Sequence, residues 1–228
     1  VLRPAVTAEI EDLVVAPSFR GKGIAKALLE KAQARAAELG AETLRKYTEQ
    51  AGLTASYGLN GLTTAKGSFD WALDSGRLGW AGVGQDKDLV NPCALMVYMG
   101  AIAGGGRAAE PCLILKSRNV IPSLPHWTRK TGVLINPSTA ERVAELMAGN
   151  VEKTYGSSRF PNMDLCAKSG TAEVGEGAAP HAWFAGFLRN EDAPYAFVVL
   201  VENGGGGSRV AGDVAARTLD VMVNGYEK

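Results

Sequence analysis

Asp164-Leu165-Cys166-Ala167-Lys168-Ser169-Gly170-Thr171-Ala172-Glu173 reads as a β-strand running on to Val174, and two more strands follow it, His181 to Arg189 and Tyr195 to Glu202. Gly, Asn, Asp and Pro separate the three, which is the composition of tight connections between antiparallel strands. Asn203 to Ser208 is a glycine turn. Beyond it Val210, Val214, Leu219, Val221 and Met222 fall on one side of the segment Val210 to Val223, so the spacing predicts a closing amphipathic helix.

Upstream of that strand the punctuation is equally legible. Asn136-Pro137-Ser138-Thr139 opens a helix to about Val151, with a polar cap and Glu141 in its first turn. Pro122 to Trp127 is a loop and Cys112 to Lys116 a short strand. Pro92 stands at the first position of a very apolar helix, Cys93 to Ala103, which Gly104-Gly105-Gly106 ends. Thr54 to Gly82, rich in Gly, Ser, Thr and Asp, reads as an irregular connection, and Leu44 to Leu53 as a short helix ending near Gly52. Before it, Val1 to Val6 and Glu9 to Val15 are β-rich, and Ala16-Pro17-Ser18 stops the second run because proline lacks an amide donor. Ile24, Ala27, Leu28, Ala32 and Leu39 then recur at helical spacing, with Gly40 as a C-cap. The expected fold class is α+β: an antiparallel sheet flanked by helices, chiefly Cys93 to Ala103 and the C-terminal helix, with an N-terminal strand-turn-helix segment.

Composition narrows the functional classes. The 24 Lys and Arg balance the 24 Asp and Glu, so no global field draws the chain to nucleic acid or anionic lipid. No apolar run reaches the roughly 20 residues that span a bilayer, and the sequence reads as carrying no signal peptide. Cys93, Cys112 and Cys166 are widely spaced, with no Cys/His ligand spacing, so no metal site is expected and buried free thiols are the simplest reading. Nothing in the sequence specifies an oligomeric state.

The run Lys168-Ser169-Gly170-Thr171 has a mechanical logic on the edge of a cleft. An ammonium and a hydroxyl hold a carboxylate. Glycine removes a side chain that would block a ligand lying along the strand, and the amide beyond it can point at a developing oxyanion. The triplet comes in a long ordered context: Gly84-Gln85, Asn91-Pro92, Tyr98-Met99-Gly100-Ala101-Ile102-Ala103-Gly104-Gly105-Gly106 and Pro111 before it. His181-Ala182-Trp183-Phe184-Ala185-Gly186-Phe187, Ala193-Pro194-Tyr195-Ala196-Phe197 and Val201-Glu202-Asn203-Gly204 come after.

That order resembles the penicillin-binding protein transpeptidase domain, from beyond its second motif to its end, over about residues 44–228. The resemblance implies that Lys168 and Ser169 contact the carboxylate of a β-lactam or of a D-Ala-D-Ala peptidoglycan stem peptide. It implies too that Gly170 allows close approach and that the Thr171 N–H forms half of an oxyanion hole. It implies no cofactor, and the extracytoplasmic face of a bacterial plasma membrane. The family's nucleophile lies in an S-x-x-K motif, and no serine of this chain has Lys three residues later. Ser117-Arg118-Asn119 fits the family's S-x-N by letter but follows the strand Cys112 to Lys116, whereas the family places that motif upstream. Ser169 is no substitute nucleophile, since Lys168 leaves a strand on the opposite face.

A second pattern occupies residues 1–43. Arg20-Gly21-Lys22-Gly23-Ile24-Ala25, after the strand Ile10 to Val15, forms a basic glycine turn at a helix start, where unsatisfied amides hold phosphate oxygens. It resembles motif A of the GNAT acetyltransferases, which implies acetyl-CoA pyrophosphate binding by Arg20 to Ala25 and a cytoplasmic setting. The pattern covers about forty residues and lacks the remaining strands of such a domain. Three readings therefore stand at this point: a transpeptidase-like fragment, a CoA-binding acetyltransferase fragment, and an assembled chain without activity of its own. His181 reads as a rim or capping histidine, His126 as structural, Trp183, Phe184 and Phe187 as core and cleft wall, and Glu173 as solvated.

Overall fold

The computed structural model describes residues 27, 31, 40–70, 80–85, 87–113, 129–175 and 177–225. The N-terminal strands, the loop Pro122 to Trp127, His126 and Ser117-Arg118-Asn119 lie outside them, although Ala27 and Lys31 are helical. The chain divides into two compact units, Val1–Thr48 with Ser68–Leu89, and Glu49–Gly67 with Val90–Lys228.

Helix α1 spans Ala41–Gln50, three residues ahead of the predicted start, and all but its last two residues belong to the first unit. Gly40 takes φ +78° and its carbonyl receives the amides of Thr43 and Leu44, so the helical ladder begins at once. Ser68 and Leu89 exchange both amide bonds at 2.8 Å, and Lys87 stands 3.8 Å from Asp70.

The second unit carries the sheet. Strands β1 (Gly58–Leu59) and β2 (Leu62–Thr63) form a small hairpin inside the segment expected to be irregular. Its turn is Asn60-Gly61, with φ 52° and 99°, the left-handed pair that a two-residue hairpin demands. Helix α2 spans Pro92–Ala103, and the Asn91 side chain accepts from the Cys93 amide at 2.7 Å. Helix α3 spans Pro137–Asn150, capped by Asn136. Its first turn contains no acidic residue, so Glu141 lies one position beyond the place assigned to it. Cys112 and Leu113 are not in a strand, contrary to expectation; the Leu113 amide is spent on the Asn60 side chain at 2.8 Å instead of a ladder.

The three predicted strands are present as β3 (Leu165–Ala172), β4 (His181–Leu188) and β5 (Ala196–Val201), antiparallel in that order. Helix α4 spans Val210–Asn224. Alternation along the strands splits the core in two. Cys166, Ala185 and Phe187 face α2 and α3, among Val97, Ile102 and Met147. Leu165, Ala167, Ala182, Phe184 and Leu188 face α4, among Ala211, Ala215 and Leu219. The sheet is thus sandwiched between helices, and the α+β expectation holds. Phe184 and Phe187, one on each face, are essentially inaccessible. At about 25 cal/mol per Å² of apolar surface each stabilises the sheet by a few kcal/mol.

Candidate functional site

The site is built on β3, which borders the sheet among the described residues: β4 lies on one side of it and no strand on the other. Lys168, Ser169 and Gly170 are half-buried and Thr171 is exposed. Lys168 pairs with Ala185 and Ser169 with Phe184, so the two side chains leave on opposite faces. The Lys168 Nζ also donates to the Ser169 carbonyl at 2.9 Å.

The Ser169 amide points off the open border, because it donates to the Tyr155 hydroxyl at 2.7 Å rather than to β4. Amide directions along a strand repeat every second residue, so the Thr171 N–H is aimed the same way. That is the direction an oxyanion donor requires.

Four groups surround this border, and motif reading passed over all but His181. A π-helical turn, Val151–Tyr155, continues α3, and Gly156 N–H closes it onto the Val151 carbonyl at 3.0 Å. The i→i+5 register brings Asn150 beside Tyr155, whose phenol accepts from Asn150 Nδ2 at 2.8 Å. The same Nδ2 lies 3.3 Å from the Ala167 carbonyl. On the far side, Gly207 donates its amide to the Thr171 hydroxyl at 3.2 Å. A Cβ on Gly207 would collide with the Gly170 carbonyl and come within 2.7 Å of the Trp183 carbonyl, so only glycine lets this loop lie on the strand. The fourth group, His181, accepts the Asn203 amide on Nδ1 at 3.0 Å and so caps the loop's start, as a capping histidine was expected to do.

Gly170 has a structural use as well: an added Cβ would sit 3.3 Å from the Trp183 Cβ. At the entry to β3, Arg189 clamps Asp164 at 2.6 Å and 3.0 Å, and the bonded carboxylate holds the guanidinium pKa above its ordinary value. Behind the strand, burial pushes the Cys166 thiol up to about 11, with Arg189 opposing and Asp164 reinforcing that shift. Its Sγ lies 3.3 Å from the Ala144 carbonyl. Cys166 is therefore a packed thiol; Cys93 and Cys112 are half-buried, and all three are free.

No group of three or more His, Cys, Asp or Glu among the described residues could hold a metal ion. No helix among them is long and apolar enough to cross a membrane. Arg20, Gly21, Lys22, Gly23, Ile24 and Ala25 lie outside the described residues.

Known proteins resemble this chain in sequence and in fold. Residues 30–220 match the family described as penicillin binding protein transpeptidase domain. That match enters the segment 1–43 from residue 30 onward. The peptidoglycan D,D-transpeptidase PbpA of Mycobacterium tuberculosis is 30% identical over 173 residues, covering 72% of this chain and 35% of the relative. PbpA of Mycolicibacterium smegmatis is 26% identical, covering 89% of this chain and 43% of its own length. The chain thus spans well under half the length of these relatives. Among solved structures, penicillin-binding protein A from M. tuberculosis as a penicillin G acyl-enzyme complex superimposes with a TM-score of 0.69 at 27% identity, covering 81% of this chain and 44% of that one. The D,D-transpeptidase domain of a peptidoglycan glycosyltransferase from Eggerthella lenta shares the fold with a TM-score of 0.71 at 22% identity, over 86% of this chain and 51% of that one.

Proposed function

The chain belongs to the penicillin-binding protein transpeptidase family, and from that premise we propose that its β3 border recognises the carboxylate of a D-Ala-D-Ala stem peptide or of a β-lactam. The observation that carries this is the placement of half-buried Lys168-Ser169-Gly170 and exposed Thr171 on a sheet border, where the Ser169 amide is held by Tyr155 and the strand's alternation aims the Thr171 amide off the same border. A cation and a hydroxyl on such a border suit a carboxylate, and the Thr171 amide suits the neighbouring carbonyl oxygen. The relatives support the ligand class: one is named a D,D-transpeptidase and another holds penicillin G as an acyl-enzyme.

Acyl transfer needs an activated hydroxyl within hydrogen-bond reach of its base. None of the chain's serines is followed by Lys three residues later, and Ser169 and Lys168 leave β3 on opposite faces. The chain by itself therefore binds without acylating. In the family setting its place is peptidoglycan cross-linking at the extracytoplasmic face of the membrane. For residues 1–43 the proposal rests on sequence alone: the turn Arg20 to Ala25 offers amides and charge to the pyrophosphate of acetyl-CoA. Protection of Arg20 and Lys22 from chemical modification by acetyl-CoA tests it, and unchanged modification rates refute it.

The test of the principal reading is an NMR titration with two matched peptides ending in D-Ala-D-Ala, one a free carboxylate and one a carboxamide. The carboxylate peptide is expected to shift the Ser169 and Thr171 amides and bind at least about tenfold tighter. Equal affinity for both, or shifts confined to other surfaces, overturns the reading.

A further inference from the structure

We propose that Tyr155 is a positioning residue for carboxylate recognition: its phenol donates to the Ser169 hydroxyl oxygen and so turns the serine's own proton away from the phenol, where a ligand carboxylate accepts it. The inference rests on the reading of β3 as a carboxylate-binding border and goes beyond it by assigning a residue outside the motif.

A phenol has one proton and two lone pairs. The Tyr155 oxygen lies 2.7 Å from the Ser169 amide and 2.8 Å from Asn150 Nδ2, and both of those groups are donors. They fill its lone pairs. Its own proton is then committed to its remaining neighbour, the Ser169 Oγ at 3.0 Å. Ser169 Oγ is thus an acceptor toward Tyr155, and its hydrogen is turned away from the phenol. No described residue accepts that hydrogen. Either oxygen of a carboxylate accepts such a proton, strengthened by its charge, whereas the NH₂ side of a carboxamide cannot accept it and meets only the serine's one remaining lone pair.

The ring is held firmly enough to impose this geometry. Tyr155 is 5% exposed and stands edge-on to Phe184, with centroids 5.1 Å apart. Its position depends on the π-helical turn, which places Asn150 against both the phenol and the Ala167 carbonyl. The hydroxyl's polarity is therefore set by main-chain geometry and by Asn150, not by the motif itself.

The test uses the full chain and the same two peptides. Tyr155→Phe keeps the ring against Phe184 and removes only the hydroxyl. The carboxylate-to-carboxamide affinity ratio is expected to fall about five- to tenfold, with carboxamide affinity unchanged. Ser169→Ala should lower the ratio alike, and combining it with Tyr155→Phe should add nothing further. Asn150→Asp reaches the same end by another route, since the introduced carboxylate captures the phenol's proton and frees Ser169 to rotate. Amide exchange at Ser169 should also quicken in Tyr155→Phe. A ratio that survives the substitution, an equal loss for both peptides, or unaltered Ser169 exchange overturns the positioning role. A wild-type chain that fails to distinguish the peptides overturns the carboxylate reading itself, and is seen before any variant is made.

Discussion

The amide of Gly207 donates to the hydroxyl of Thr171 at 3.2 Å, so the loop before α4 is fastened to the strand whose border carries the candidate site. Thirty-six positions separate the two residues in sequence. The fastening works only because Gly207 has no side chain to strike the carbonyls of Gly170 and Trp183.

Gly207→Ala should therefore lift the loop from β3. Overpacking against fixed main chain costs about 1–3 kcal/mol, so the midpoint of thermal unfolding should fall by several degrees. Ligand-induced shifts at Thr171 should weaken in parallel. A variant with wild-type melting would show that the loop does not press on the strand.

Gly186→Ala should be at least as damaging. A Cβ there would strike the Cys166 carbonyl and lie 2.9 Å from Ala167 Cα, both main-chain atoms of the adjacent strand. Denaturant titration is expected to show a loss of about 2–3 kcal/mol with an unchanged slope. Phe184→Ala, which empties the centre of the α4-side core, should cost about 3–5 kcal/mol in the same assay.

Stability should decline on the alkaline side. Burial raises the Cys166 thiol from its ordinary 9.0 to about 11, so the unfolded chain gives up that proton at lower pH than the folded one. The stabilisation is full below about 9 and is lost as pH climbs towards about 11, to the extent of roughly 1–2 kcal/mol. Comparing denaturant midpoints at about pH 8 and about pH 10.5 measures it, and Cys166→Ala should flatten the difference. A variant with the same alkaline slope as wild type would assign the loss to other groups.

A fluorescent penicillin incubated with the chain should not survive denaturing electrophoresis, since no serine here has the lysine spacing that activates the family's nucleophile. A labelled band that Ser169→Ala abolished would make Ser169 the acylated group and overturn this expectation.

Lys168→Met should spare folding, because the side chain is half-buried at a border and not enclosed in either core. It should weaken binding of the carboxylate peptide by about tenfold or more, the usual scale for a charge-assisted bond. Calorimetry showing unchanged affinity would remove Lys168 from the site.

The strands β3 to β5, helix α2 with Pro92 at its start and helix α4 follow from local chemistry that any reader of the chain can see: side-chain period, turn composition and helix-start residues. So does the placement of Lys168-Ser169-Gly170 on a strand. The hairpin at Asn60-Gly61 was equally local, and the surrounding Gly, Ser and Thr masked its two short strands. What neighbours the motif is a different matter. Tyr155 reaches Ser169 across 14 positions because a π-helical turn, not an α-helical one, ends α3. Gly207 reaches Thr171 because α4 packs back over the sheet. A side-chain pattern specifies which face an element buries but not which residues of distant elements meet there. That is decided by packing, when the two cores close on either side of the sheet and bring the phenol and the glycine loop to the border of β3.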